Sequence, residues 1–225
     1  MRVVGTVLVA TIAIGCTHPP VQSVHVATVV GEDRPFVPAT AVSYTYAGIA
    51  WGSDGETVKQ ALASVGLTFT KIDRDGDLNF VGSQLGYDAA GMALMARGHV
   101  LKVAVNLATP DSKAREVYEQ MVDSLTGLFG HPTLRYHTFR PPYREGDGNE
   151  IRAIRTGNAT VSSLWLREAD GSQVGDDIAV EITQNLTVQV SYEANAWERE
   201  ANRRKLAMRS GRPMADTGKR RVPRK

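Results

Sequence analysis

The rhythm of apolar and polar residues changes several times along the chain, and each change predicts an element. Residues 44–51 read as the first strand of a folded part. Ser53-Asp54-Gly55-Glu56 has the form of a capping box, in which the Ser hydroxyl and the Glu carboxylate can each take a free backbone N–H. Val58, Ala61, Leu62 and Val65 follow at helical spacing, and Gly66 supplies the stop. Strands over 67–72 and 78–81 flank Asp73-Arg74-Asp75-Gly76-Asp77, where Asp-Gly can provide the positive φ of a hairpin turn. Strands over 89–96 and 99–107 flank Arg97-Gly98 in the same way. In the second of these, Leu101, Val103, Val105 and Leu107 alternate with Lys102, Ala104 and Asn106, so one face enters a core.

The second half repeats the order. A helix is predicted from near Thr109-Pro110-Asp111, since Pro is tolerated in a first turn. Val117, Met121, Leu125 and Leu128 form its apolar stripe, widened by Val122 and Phe129, and Gly130 and Pro132 end it. A strand over 134–139 precedes an irregular stretch that runs to Gly157. Strands over 160–167, 178–183 and 186–192 follow, and a third helix begins near Asn195 and frays into a basic tail. The expected class is therefore α+β, an antiparallel sheet with helices packed on one face. Its simplest form is a duplicated α-βββ unit, although no residue-level repeat accompanies it. The predicted organisation is a signal over 1–15, an extended tether over 16–43, an α+β domain over 44–197 and a basic helical or disordered tail over 198–225.

The first sixteen residues change what this domain is expected to do. After Met1-Arg2, residues 3–14 are apolar except for Gly5, Thr6 and Thr11. A bilayer-spanning helix needs roughly 20 apolar residues, so this run is too short to be one. A basic start, a short apolar core and small residues before a cut site match a secretory signal. Ala13-Ile14-Gly15-Cys16 also resembles the lipobox of bacterial lipoproteins. The resemblance covers the N-terminus alone. It implies that Cys16 becomes the lipidated first residue and anchors the protein to a membrane of the cell envelope, the outer one if the cell has it. Ala13 stands where lipoboxes usually carry Leu, and Ala13 with Gly15 equally suits an ordinary signal peptidase, so both cuts remain open. Cys16 is the only cysteine; it cannot form an internal disulfide, and a free thiol is unusual in an exported protein. His18-Pro19-Pro20, Pro35 and Pro38 favour extended chain after it. Residues 21–30 are apolar enough to dock as a strand and are read as linker.

Charge is unevenly spread. The formal net charge is +2, yet residues 199–225 carry eleven Lys or Arg against Glu200 and Asp216, leaving 15 basic and 22 acidic residues elsewhere. That asymmetry points to a basic tail on an acidic domain. Solvated chain is the first reading of the tail, since Gly211, Pro213, Gly218 and Pro223 discourage packing. Attraction to anionic head groups or another envelope polyanion is the second. Nucleic acid is not an expected partner, because the tail lacks interleaved aromatics and an exported protein seldom meets it.

Catalytic signatures are weak. Asp73, Asp75 and Asp77 alternate as calcium ligands can, but the loop has Leu78 and Gln84 where an EF-hand needs Gly and Glu, so a solvated hairpin turn is preferred. Glu168, Asp170, Asp176 and Asp177 read as a polar loop. His18, His25, His99, His131 and His137 show no zinc spacing. Gly82-Ser83-Gln84-Leu85-Gly86 falls one residue short of a nucleophile elbow and lies in a predicted strand, while Gly171-Ser172 has no partner His nearby in sequence. No phosphate-cradling Gly-rich loop opens a helix. Neither cofactor nor metal is expected, and no residue is singled out as catalytic. The run from 135 to 144 is richer: Arg135, Tyr136, Phe139, Arg140, Tyr143 and Arg144 are of the types enriched at binding hot spots, and Pro141-Pro142 holds part of it extended. These six are the candidate partner-binding residues. The functional expectation is a lipid-anchored binding, scaffold or accessory module whose partner is an envelope protein or an anionic polymer. The alternatives are an exported hydrolase whose site forms only in three dimensions and a polyanion-binding protein acting through its tail.

Overall fold

Hairpin chemistry lays down most of the sheet. Leu85-Gly86 and Arg97-Gly98 both place two consecutive residues at positive φ, the geometry of a two-residue turn whose twist matches the strands it joins. The computed structural model describes residues 44–168 and 174–210. Its elements are α1 (Gly55–Ser64), β1 (Leu67–Ile72), β2 (Leu78–Gln84), β3 (Tyr87–Ala96), β4 (His99–Ala108), α2 (Ala114–Phe129), β5 (Leu134–Phe139), α3 (Glu150–Arg155), β6 (Ala159–Glu168), β7 (Val174–Ile182), β8 (Val188–Glu193) and α4 (Trp197–Arg209).

The chain is an α+β protein built on one antiparallel eight-stranded sheet, ordered β1-β2-β3-β4-β8-β7-β6-β5. Each half contributes a helix followed by four strands, rather than the three expected, and the halves join along β4 and β8. Across that seam Val103, Val105 and Leu107 meet Tyr192, Val190 and Val188. All six are buried, and they share one cluster with Val58 and Leu62 of α1 and with Val117, Tyr118, Val122 and Leu125 of α2. The alternation predicted for β4 holds apart from Leu101. A register shift between Leu94 and Met95 gives the inward place at that end to Val100.

Several local expectations are corrected. Residues 44–51 do not form a strand: a 3-10 turn at Tyr46–Gly48 carries Ala47 at φ 52, and Tyr46 leaves it to stack edge-on against Tyr192 at 5.3 Å. Ser53 is not the helix cap. Its hydroxyl donates back to Ala50 O, and Asp54 caps α1 by accepting from Thr57 N–H at 2.9 Å. That bond holds the Asp54 carboxyl below its ordinary range. At 109–113 the chain makes a 3-10 turn, Asp111–Lys113, before α2 begins. The last turn of α2 offers Phe129 to the core, where Tyr44 meets it at 5.0 Å, and leaves Leu128 exposed. Gly130 ends the helix at φ 82, and its carbonyl accepts the indole N–H of buried Trp165 at 2.8 Å. The stretch read as irregular contains α3, and Leu186 lies in the β7–β8 turn at φ 61 instead of opening a strand.

The Asp73–Asp77 loop is a hairpin turn, but not a wholly solvated one. Asp73 accepts from the backbone N–H groups of Asp75 and Asp77, which closes the turn. Asp77 is buried and meets Arg204 of α4, whose Nη1 and Nη2 lie 2.6 and 2.9 Å from its carboxylate. The same guanidinium donates to Met95 O at 2.5 Å and to Glu200 at 3.0 Å, while Asp77 also accepts Met95 N–H at 2.7 Å. Trp197 covers the guanidinium at 5.3 Å. Hydrogen bonds from Arg203 and then Arg204 hold the Glu200 carboxyl below its usual range. A residue expected in the charged tail therefore closes the first half of the sheet.

Candidate functional site

The polar groups of the second half converge where α2 crosses β5 and β6. Arg115, Tyr118 and Glu119 lie one turn apart on α2. By strand alternation Arg135 and His137 of β5 share the helix side with Ser163 of β6, since Arg135 pairs with Ser163 in register. Tyr118 Oη and Ser163 Oγ are 2.7 Å apart and buried. His137 Nε2 lies 3.5 Å from Tyr118 Oη, and His137 Nδ1 lies 3.3 Å from both Arg115 Nη2 and Glu145 Oε1. Arg115 also reaches Glu119 at 3.1 Å and Glu145 at 3.3 Å, and Arg135 pairs with Glu119 at 2.8 Å. Arg115 Nη1 is buried with no hydrogen-bond partner among the described residues.

Burial, followed by the Arg115 charge, pushes the His137 imidazole below its ordinary pKa, with Glu145 opposing. A neutral ring donates at one nitrogen and accepts at the other. In the tautomer that suits the Arg115 guanidinium, which only donates, Nδ1 accepts and Nε2–H faces Tyr118; the opposite tautomer suits Glu145. Serine, histidine and carboxylate are thus close together, yet the arrangement is not that of a hydrolase. Ser163 is fully buried, and its hydroxyl bonds Tyr118 rather than the base. The network positions α2 on the sheet and ties the loop after β5 to it through Glu145.

That loop is ordered by its own side chains. Asp147 accepts from the backbone N–H groups of Arg144 at 3.0 Å and Asn149 at 2.7 Å, which holds its carboxyl below the usual range. Glu150 accepts from Gly146 N–H at 2.6 Å, and the Pro141-Pro142 bond is cis. The six residues singled out from the sequence are divided by this geometry. Arg135 sits in the network, and Phe139 packs against the core. Tyr136 points to the opposite face and is 37% exposed. Arg140 and Arg144 are exposed on either side of half-buried Tyr143, and neither makes an ion pair among the described residues. Cys16, His18, His25, Asp170, Gly171 and Ser172 lie outside the described residues. His131 is exposed, His99 Nδ1 meets Gly52 O at 2.7 Å, and no metal-binding group of three ligands occurs among the described residues. Sequence reasoning missed Arg115, Tyr118, Glu119, Glu145 and Ser163. The signal present was a tyrosine amid the apolar positions of α2 facing inward-parity His and Ser.

The opposite face of the sheet is only partly covered by the described residues. A depression of about 560 Å³ lies there between Val81, Ala90, Asn106 and Ala108, rimmed by Asp88 and Thr187. Near the other end of that face, Asp177 stands across from Glu193, which pairs with Lys102. Asp177 Oδ1 is buried with no hydrogen-bond partner among the described residues, and burial first and Glu193 second push the carboxyl up to about 6. Its unfolded value is near 3.8, so between the two the folded chain binds the extra proton and stability falls as pH rises. Asp177→Asn is therefore expected to leave stability unchanged near pH 4 and to raise it by about 1 kcal/mol above pH 6, a figure discounted for solvent screening. Thermal unfolding from pH 4 to 7.5 checks this, and parallel curves for the two proteins would contradict it.

Fold and site together describe an α+β sheet protein with a polar network under one helix and an arginine–tyrosine loop beside it. Comparison with protein-family models, with curated proteins and with solved structures finds no match.

Proposed function

We propose that this is an exported envelope lipoprotein, acylated at Cys16, whose α+β domain is a binding or accessory module acting through the loop that follows β5. The observation that carries the reading is the state of that loop. Arg140, Tyr143 and Arg144 stand on a backbone held by Asp147 and Glu150, with both guanidinium groups outside any ion pair of the described residues. A backbone already fixed in the free protein loses little conformational freedom on binding, and Arg and Tyr are residue types that anchor interfaces. An envelope protein or an anionic polymer suits two unpaired guanidinium groups. A hydrolase is the less supported reading, because Ser163, the serine that shares Tyr118 with His137, is sealed under α2.

Two measurements test it. Mass spectrometry of the mature N-terminus is expected to find an acylated Cys16; a plain cut before it, or no cut, overturns the anchor. For binding, Arg140, Tyr143 and Arg144 are replaced together by alanine, and envelope complexes are followed by cross-linking in cells. Loss of the cross-linked species with unfolding temperature preserved is expected. Complexes retained at unchanged yield would remove the loop from the function.

A further inference from the structure

The basic C-terminal segment begins on α4. Glu200 and Arg204 are the buried residues of this helix, so the helical repeat turns Arg199, Asn202, Lys205, Leu206 and Arg209 outward. All five are exposed, Leu206 at 65%, and Met208 in the last turn is 74% exposed. The helix crosses the strand ends of the first half. Lys102 Nζ of β4 lies 5.6 Å from the Trp197 ring, and Arg204 reaches Asp77, the residue before β2. The last turn of α4 therefore runs on toward β1. That strand ends in Lys71 and Ile72, the latter 57% exposed, and exposed Arg74 stands in the turn after it. Arg97 is exposed in the β3–β4 turn, two residues beyond Met95, whose carbonyl accepts from Arg204.

Positive charge gathers at this corner. Lys71, Arg74, Arg97, Arg199, Lys205 and Arg209 make no ion pair among the described residues, while Asp75 and Glu198 are the exposed acids on the same elements. Residues 211–225 add six basic side chains against Asp216. Outside residues 199–225 the chain has 15 basic and 22 acidic residues, so an anionic plane repels most of the domain and attracts this side of it. A soluble polyanion would use the cations and leave Ile72, Leu206 and Met208 in water. A bilayer uses both, since head groups meet the cations and the acyl boundary takes aliphatic side chains. We propose that the outer face of α4, with the end of β1, seats the domain on an anionic membrane surface. The seat is independent of acylation at Cys16 and of the loop after β5.

An environment-sensitive dye attached at Leu206→Cys, in the full chain with Cys16→Ser, reads the contact without help from an acyl group. Vesicles of phosphatidylcholine with about one-third phosphatidylglycerol are expected to shift its emission to the blue, and phosphatidylcholine alone is not. Replacing Arg199, Lys205 and Arg209 together by Gln is expected to raise the lipid needed for half the shift at least ~10-fold. All three side chains are exposed, so the unfolding temperatures of the labelled proteins are expected to match. No shift on the anionic vesicles overturns the proposal. So does an equal shift on the neutral ones, which would come from the apolar N-terminus. A half-point unmoved by the triple substitution also overturns it, since residues 211–225 would then carry the attraction. The same shift with heparin in place of lipid would make a soluble polyanion the partner and remove the membrane.

Discussion

Arg204→Ala is expected to destabilise the domain by about 3–5 kcal/mol, lowering its unfolding temperature by roughly 10 °C. The reason is the residue left behind. Asp77 is 3% exposed, and the guanidinium supplies two of its hydrogen bonds. Without it a carboxylate would stay buried with only the Met95 and Asp73–Asp77 backbone geometry around it, and Glu200 would lose a partner as well. Removing both charges separates this effect from loss of packing. Asp77→Asn with Arg204→Met keeps an acceptor for Met95 N–H and an apolar stem under Trp197. The double variant is expected to recover most of the loss, because replacing a whole buried ion pair is often neutral. Urea unfolding of the three proteins decides it. Equal destabilisation in single and double variants would show that α4 packing, not the uncompensated charge, carries the effect.

Gly82→Ala is the second large effect, expected at about 3 kcal/mol or more. Gly82 sits opposite Leu67 in the β1–β2 pair. A Cβ there would lie 2.0 Å from Gly66 O, 3.0 Å from Gly66 C and 3.2 Å from Leu67 Cα. These are backbone atoms, so no rotamer change relieves the clash, and β1 must move away from β2. The same substitution in a different setting provides the control. Gly127 lies in α2 with nothing within 4 Å of its added Cβ, so Gly127→Ala is expected to stabilise by about 0.5–1 kcal/mol through helix propensity. Opposite shifts in chemical unfolding are the prediction. Similar behaviour of the two alanines would refute the steric account.

Elements made by near neighbours were legible in the sequence. The strands over 67–72 and 134–139 fall where the pattern put them, and Arg97-Gly98 closes its hairpin, because turn chemistry and alternation act over a few residues. Distant contacts decided the rest. Residues 44–51 look strand-like, but Tyr46 and Tyr44 are claimed separately by Tyr192 and Phe129. α3 is six residues long, too short to show a helical period. The polar network joins positions 19 and 45 residues apart, and no local rhythm pairs Tyr118 with His137 or Ser163. The arginine–aromatic run was visible as composition. Its division between network, core and loop came from strand parity and the turn at Asp147.

The link between Asp77 and Arg204 spans 127 residues and gives the fold a schedule. A growing chain completes β1 to β4 while the guanidinium that neutralises their buried carboxylate is still unmade. Until α4 arrives, the corner holding Asp77 and Met95 must stay open to water, so the first half cannot settle into its final packing by itself. Final packing of the early strands therefore depends on α4, the last helix among the described residues.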